Sequence, residues 1–324
     1  MVILEQYDYN LPEQLIAQKA HYPRDHCKLL VIKNNQITHE KFYNIIDYLE
    51  AGDTLVVNET KVKRCKIIGK KESGSEVEVT LLKQLEPKIY LTKIKGRNPH
   101  QGINLIFQNN QAKIIEQVNE DFVLEFEKEL KEEDLHLLTP PYIKQKIPDQ
   151  DYQTIYAKKE GSLAAPTAGL HFTPELFKKI EDKGVKIAKI QLDISFHTFL
   201  PVKDISNHTT GKEYFSVNEE NAKIINSGGI VAVGTTVVKC LESCQWENNK
   251  ILPTEGVSEI FIKPGHQFKT PLKAMLTNFH LPKSSLLLLT SAYLDKEVLL
   301  KAYNEAVKNK YRFFSLGDAM LIIK

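Results

Sequence analysis

The chain has 324 residues, of which 42% are hydrophobic and 26% are charged, and its formal net charge is +2. This balance excludes an extensively disordered chain and allows one large domain or two of ordinary size. It also excludes a protein that is basic throughout, so a nucleic-acid site would have to be a local patch of cations.

The first part of the chain has the pattern of an α/β unit. Residues 29–32 form a short apolar run typical of a strand, and residues 42–49 have the pattern of a helix that Gly52 stops. Residues 54–57 form a second apolar run. We therefore predict an α/β beginning up to about residue 60.

Beyond residue 61 the pattern changes to six short β runs separated by turns rich in glycine, asparagine and proline. The runs are residues 62–68, 76–82, 88–94, 102–107, 114–118 and 122–126. Short strands at this spacing predict a small barrel or sandwich.

The proline-rich segment that follows reads as a stiff return linker, because proline fixes φ and restricts the residue before it. From residue 152 onward strands and helices alternate again. We therefore predict an α/β core that is discontinuous in sequence, residues 1–60 plus 150–324, and that holds the active site. The predicted insertion, residues 61–149, contains an all-β, barrel-like domain and the return linker.

The sequence gives no sign of a targeting segment, a membrane span or a metal site. The N-terminus lacks the basic and apolar regions of a signal peptide, and the leucine run 286–289 is far shorter than the ~20 residues that cross a bilayer. The four cysteines form no CxxC pair, and no histidines have zinc spacing. We expect a cytoplasmic protein that binds neither a membrane nor a metal.

Gly234, Thr235 and Thr236 follow an apolar strand at residues 230–233 and open a helix. Glycine allows a ligand to approach the backbone, and a helix N-terminus offers free N–H groups to an anion. The motif suits a carboxylate or a phosphate. The alternative is a helix-capping turn without a ligand.

The block at residues 164–173 contains Thr167, Gly169 and His171 in a tight loop that leads into a capped helix. Its small residues permit close backbone approach, and His171 is placed to act as a base or as a donor to a ribose. The alternative is a histidine that packs against the helix cap.

Thr277, Asn278 and His280 lie in a later block, in which Asn278 and His280 alternate with apolar residues. In an extended segment both polar side chains then face one side and can hydrogen-bond a base edge or a ribose. The alternative is a polar pair that fixes a loop.

The C-terminal block, residues 311–320, interleaves Arg312, Ser315 and Asp318 with aromatic residues that include Phe313. A planar cation, a carboxylate and flat rings suit a ligand that has a base, a sugar and charged ends. The alternative is a buried Arg–Asp pair that closes the fold.

Together with residues 9–12 and 15–18, these blocks resemble one family, the S-adenosylmethionine:tRNA ribosyltransferase-isomerases of queuosine biosynthesis. The resemblance covers nearly the whole chain. It implies transfer and isomerisation of the ribosyl moiety of S-adenosylmethionine onto 7-aminomethyl-7-deazaguanine in a tRNA anticodon, giving epoxyqueuosine-tRNA with release of adenine and methionine. S-adenosylmethionine is then a cosubstrate, no cofactor is bound permanently, and the other partner is a tRNA with a modified wobble guanine. We expect a monomer or weak oligomer.

The resemblance also implies residue roles. The sulfonium acidifies the C5′ hydrogens beside it, so the reaction needs a base. The catalytic candidates are His171 as first choice, His280 as second, and Asp318. The substrate-binding candidates are Asn58, Thr167, Gly169, Glu213, Gly234, Thr235, Thr236, Thr277, Asn278, Arg312, Phe313 and Ser315.

Four positions depart from the family's pattern. Asp193 and Gly211 stand where histidines are usual, and Lys61 and Lys239 stand where arginines are usual. These changes affect proton-transfer and bidentate groups, and His197 could supply a lost imidazole. Two alternatives therefore stay open: a diverged, non-catalytic tRNA-binding paralogue, and a methyltransferase that uses S-adenosylmethionine, for which the expected Gly-rich opening is missing.

Overall fold

The computed structural model describes most of the chain, namely residues 3–145, 147–195, 202 and 204–324. Contacts divide the chain into two compact units, Met1–Val62 with Pro140–Lys324 and Lys63–Thr139. His197, a candidate replacement imidazole, lies outside the described residues.

Helices are few and short. The α-helices among the described residues are α1 (Pro174–Asp182), α2 (Glu219–Ile225), α3 (Thr235–Ser243), α4 (Ser285–Tyr293) and α5 (Lys296–Lys308). Short 3₁₀ segments occur at Leu4–Tyr7, Glu13–Leu15, Arg24–His26, Phe42–Tyr48, Glu132–Asp134, Asp149–Tyr152 and Thr167–His171. The helix predicted at residues 42–49 is thus a 3₁₀ segment.

Strands make up most of the remaining regular structure. They are β1 (Lys28–Lys33), β2 (Gln36–Lys41), β3 (Thr54–Asn58), β4 (Thr60–Val62), β5 (Arg64–Lys71), β6 (Glu76–Glu86), β7 (Ile89–Lys95), β8 (Asn104–Ile106), β9 (Gln111–Val118), β10 (Asp121–Phe126), β11 (His136–Leu137), β12 (Lys159–Ser162), β13 (Lys186–Leu192), β14 (Glu213–Val217), β15 (Ile230–Val233), β16 (Trp246–Glu247), β17 (Lys250–Ile251), β18 (Thr254–Ser258), β19 (Leu272–Asn278) and β20 (Ala319–Ile323).

The larger unit is built on a nine-stranded mixed sheet in the order β18-β14-β13-β3-β15-β19-β20-β1-β2. Its central strands are buried on both faces. In β3, Val56 packs into one apolar cluster, whereas Leu55 and Val57 pack into another on the opposite side, because successive side chains of a strand alternate between faces. This double burial explains why the central strands read as continuous apolar runs.

Four neighbouring strands of this sheet, β13, β3, β15 and β19, run parallel. Their carboxyl ends therefore meet at one edge. Leu192, Asn58, Val233 and Asn278 end these four strands. In open α/β sheets, ligands bind outside the carboxyl ends of the strands.

The smaller unit is a closed antiparallel barrel. Six strands follow one another in the order β5-β6-β7-β10-β9-β8, and pairing between β5 and β8 closes the ring. The predicted fold class, an α/β core interrupted by an all-β, barrel-like insertion, is confirmed.

Gly69 permits this closure. A Cβ atom there would lie 2.5 Å from Cδ1 of Phe107 and 2.6 Å from the backbone carbonyl oxygen of Ile106. The carbonyl belongs to β8 and cannot rotate away as a flexible side chain could. The barrel therefore requires a residue without a side chain at this point of β5.

We expect Gly69→Ala to destabilise the barrel by about 1–3 kcal/mol, the usual cost of overpacking. Hydrogen exchange of the β5 and β8 amides should accelerate more than exchange in the nine-stranded sheet. Gly256→Ala is the matched control, because a Cβ there would lie 3.5 Å from Phe215, an ordinary contact. Equal effects of the two substitutions on unfolding would contradict this role of Gly69.

Candidate functional site

A cavity of about 260 Å³ opens at the carboxyl edge of the parallel strands. The loops after β15 and β19 supply much of its wall. Candidates from the sequence that line it are Thr167, Glu213, Gly234, Thr235, Thr236, Thr277, Asn278, His280 and Ser315. The structure thus brings nine candidates from separate parts of the sequence together.

Helix α3 begins at this cavity. Gly234 precedes it with φ +94°, a left-handed conformation that glycine adopts without strain. Since glycine has no capping side chain, the first N–H groups of the helix are left for a ligand. The hydroxyl of Thr236 is also buried without a hydrogen-bond partner among the described residues. The arrangement is suited to an anion.

A buried ion pair lies in the same wall. Lys239, one turn into α3, donates from Nζ to Oε2 of Glu213, the first residue of β14. The backbone N–H of Ser195 donates to the other carboxylate oxygen at 3.0 Å. Both charged side chains are more than nine-tenths buried, so the cavity presents a cation and an anion in a poorly solvated place.

His280 is held at the opposite part of the wall, just after β19. Its Nε2 lies 2.7 Å from Oγ1 of Thr277, and its backbone N–H donates to the hydroxyl of Tyr303 at 2.9 Å. Burial lowers the pKa of His280 to about 3. Its imidazole is therefore neutral at physiological pH.

An aromatic wall completes the cavity. The rings of Tyr142 and Phe314 lie 4.7 Å apart between centroids, and the Tyr142 hydroxyl hydrogen-bonds Ser315. Phe314 has φ +71°, which is rare for a bulky residue. Phe313, the sequence candidate for stacking, is instead fully buried in the core and packs against Phe279.

Five further candidates lie outside the cavity lining, namely Asn58, Gly169, His171, Arg312 and Asp318. The amide of Asn58 ties β3 to β13 through both backbone groups of Leu192. A Cβ atom on Gly169 would overlap the hydroxyl of Tyr156, so this glycine is needed for packing rather than for ligand approach. Asp318 accepts hydrogen bonds from the backbone N–H groups of Arg312 and Lys28 at 2.7 and 3.0 Å.

The guanidinium of Arg312 also makes its contacts within the fold, near Asp318. Its Nε lies 3.8 Å from the Asp318 carboxylate, and its Nη1 donates to the carbonyl of Lys19 at 3.0 Å. This is the geometry expected of the structural alternative, an Arg–Asp pair that closes the fold.

His171 lies just behind the cavity wall rather than in it. Its Nδ1 is 3.2 Å from Sγ of Cys27. Burial lowers the pKa of His171 to about 3; the side chain of Asn278 opposes this shift, and Arg312 adds to it. His171 is therefore also neutral.

In the part of the chain that the structure describes, no three His, Cys, Asp or Glu side chains are grouped so that they could hold a metal ion. No α-helix in the same part is both long and apolar enough to cross a bilayer.

Comparison with known proteins identifies the family. The family described as "Queuosine biosynthesis protein" matches residues 4–322. The chain belongs to this queuosine biosynthesis family. Relatives named S-adenosylmethionine:tRNA ribosyltransferase-isomerase include one from Sulfurihydrogenibium sp., 45% identical with 99% of each chain covered. Another, from Fusobacterium nucleatum, is 44% identical and covers 98% of this chain and 96% of its own.

A solved structure of the queuosine biosynthesis family agrees with the fold. It is the crystal structure of S-adenosylmethionine tRNA ribosyltransferase from Thermotoga maritima, which is 34% identical. The match covers 98% of this chain and 100% of that one, with a TM-score of 0.57.

The departures from the pattern of the queuosine biosynthesis family lie mostly away from the cavity. Asp193 accepts hydrogen bonds from Thr60 at 2.7 Å and from Gln191 at 3.1 Å. Lys61 forms an exposed ion pair at 3.7 Å. All four of these residues lie in the part of the chain that the structure describes. Of the four, Lys239 lines the cavity.

Some lining residues of this family member were missed from the sequence. Tyr142 belongs to a segment interpreted as a linker, and Tyr152 stands at the start of the segment that follows it. The sequence signal for Tyr142 is its position directly after Pro140 and Pro141, since two prolines fix the backbone that presents its ring.

Acidification should destabilise the folded chain, because His171 and His280 have pKa values near 3 against an ordinary value of 6.5. Below pH 6.5 the unfolded chain takes up protons that the folded chain does not, so stability falls until about pH 3. Each histidine should remove about 2 kcal/mol from the free energy of unfolding between pH 7 and pH 5.

Denaturant titrations at pH 5, 6 and 7 measure this effect. His280→Asn should show a flatter pH dependence than the unsubstituted chain, whereas His26→Asn, at an exposed position, should leave the slope unchanged. Equal slopes for all three proteins would mean that His280 is not held neutral by burial.

Proposed function

We propose that the chain transfers and isomerises the ribosyl moiety of S-adenosylmethionine onto 7-aminomethyl-7-deazaguanine in a tRNA anticodon. The products are epoxyqueuosine-tRNA, adenine and methionine. The names of full-length relatives support this activity. The observation that carries it in the structure is a single cavity with groups complementary to each part of S-adenosylmethionine.

The methionine part matches the charged side of the cavity. Its carboxylate suits the free N–H groups at the start of α3, with the hydroxyl of Thr236 and the ammonium of Lys239 nearby. Its ammonium and sulfonium suit the carboxylate of Glu213. Because this pair is buried, neither charge is masked by bulk water.

The aromatic side of the cavity suits a nucleobase. Tyr142 and Phe314 offer flat faces, and stacking on such a ring contributes ~1–3 kcal/mol per base. We assign to Phe314 the stacking role expected of Phe313. Adenine must leave during the reaction, and the amide of Asn278, which gives one N–H to Phe314, has a second N–H that can stabilise it.

We assign the base that removes a C5′ proton to His280. Of the described histidines, it is the one in the cavity lining. Its neutral imidazole has an unprotonated nitrogen that can accept the proton, and the burial that lowers its pKa to about 3 makes it a weaker base than a free histidine. The carboxylate of Glu213 is a weaker candidate, because Lys239 already holds it. His171 is then a supporting residue behind the cavity wall, and Asp318 is a supporting residue in the C-terminal block.

The activity is tested by incubating the protein with S-adenosylmethionine and a tRNA bearing 7-aminomethyl-7-deazaguanine. Mass spectrometry should detect adenine together with an equal amount of the epoxyqueuosine nucleoside. His280→Ala should lower turnover about 10²- to 10⁴-fold, the usual loss for a general base, while tRNA affinity stays the same. The exposed His26→Ala is the matched control.

The other outcomes are distinct. S-adenosylhomocysteine would identify a methyltransferase. Binding of tRNA without any product would identify a non-catalytic paralogue. Full turnover in His280→Ala would move the base to another residue and leave the overall reaction intact.

A further inference from the structure

Three buried side chains form a row that ends at the cavity. Cys27 lies directly before β1 and contacts His171 at 3.2 Å between Sγ and Nδ1. Both are at least 95% buried. Asn278, at the end of β19, lines the cavity. The proposed reaction gives no role to the thiol.

The amide of Asn278 has a fixed orientation. Its Nδ2 donates to the backbone carbonyl of Phe314 at 2.9 Å. A flipped amide would place two acceptors against each other. The Oδ1 atom of Asn278 is therefore the atom left to accept a hydrogen bond, and among the described residues it is buried without a partner, as is Nε2 of His171.

We pair these two atoms, because each is the unpartnered polar atom of its side chain and the Asn278 side chain acts on the His171 ring. The side chain of Asn278 favours the protonated form of His171 and so raises its pKa against the effect of burial, as an acceptor oxygen beside the ring does. An acceptor at Nε2 requires that this nitrogen carries the single proton of the neutral imidazole. Nδ1 is then the acceptor.

The thiol completes the row. Burial raises the pKa of Cys27, and the neighbouring carboxylate of Asp318 adds to this shift, so the sulfur keeps its proton. A protonated thiol is a weak donor, and the unprotonated Nδ1 of His171 is the acceptor in contact with it.

We propose that Cys27 is a positioning residue. Its thiol donates to Nδ1 of His171, which holds the ring proton on Nε2 and directs it at Oδ1 of Asn278, and this fixes the amide in the cavity wall. The effect on turnover rests on the proposed function, whereas the tautomer of His171 does not.

The tautomer is measured on the unsubstituted protein labelled with ¹⁵N-histidine. Two-bond ¹H–¹⁵N correlations should show His171 as a neutral ring with protonated Nε2 and unprotonated Nδ1. The signal is assigned by its loss in His171→Gln. A ring protonated on Nδ1 would overturn the proposal, whatever the activity of the protein.

Two substitutions at Cys27 test the consequence. Cys27→Ala removes the donor and should give a mixture of tautomers, with kcat/KM for S-adenosylmethionine lowered about five- to tenfold, the loss expected for one neutral hydrogen bond. Cys27→Ser keeps a donor and should restore the tautomer and most of the rate. The KM for tRNA should be the same in all three proteins.

Unchanged tautomer and rate in a folded Cys27→Ala protein would also overturn the proposal. If Cys27→Ala does not fold, the spectrum of the unsubstituted protein and the Cys27→Ser rate decide it. Absence of turnover in the unsubstituted protein would overturn the proposed function alone, since the NMR result stands without it.

Discussion

The parallel pairing of β13, β3, β15 and β19 is the constraint on which the candidate site depends. It places the carboxyl ends of strands that are far apart in sequence at one edge of the sheet. The turn at Gly234 and the segment after Asn278 extend from neighbouring strand ends, so their backbone is fixed by the sheet. The cavity wall is therefore held by the most deeply buried part of the fold, and its polar groups need little ordering when a ligand binds.

The electrostatics of the cavity combine one buried ion pair with neutral histidines. Glu213 and Lys239 form a buried ion pair, whereas His171 and His280 are neutral because burial disfavours the protonated form. A zwitterionic ligand with an added sulfonium fits such a site. The lysine at position 239 retains a cation in the wall, although it cannot form the bidentate fork of the arginine usual in the family.

Local sequence patterns predicted the fold class. They also predicted those parts of the site whose structure depends on a single backbone feature. The strand at residues 230–233 and the helix after it were visible because an apolar run ends in glycine and two threonines. The sequence left a barrel and a sandwich open, because closure depends on pairing between β5 and β8, which are far apart in the chain. Phe313 and Phe314 have the same chemistry, and only the positive φ of Phe314 turns one ring to the cavity while the other stays in the core.

We propose that this one cavity holds S-adenosylmethionine, with its carboxylate at the start of α3. A crystal structure of the protein with S-adenosylmethionine tests this most directly. We expect density for the carboxylate at the N–H groups of Thr235 and Thr236, with the adenine against Tyr142 and Phe314. Density for the cosubstrate outside this cavity, or with its carboxylate away from α3, would contradict it.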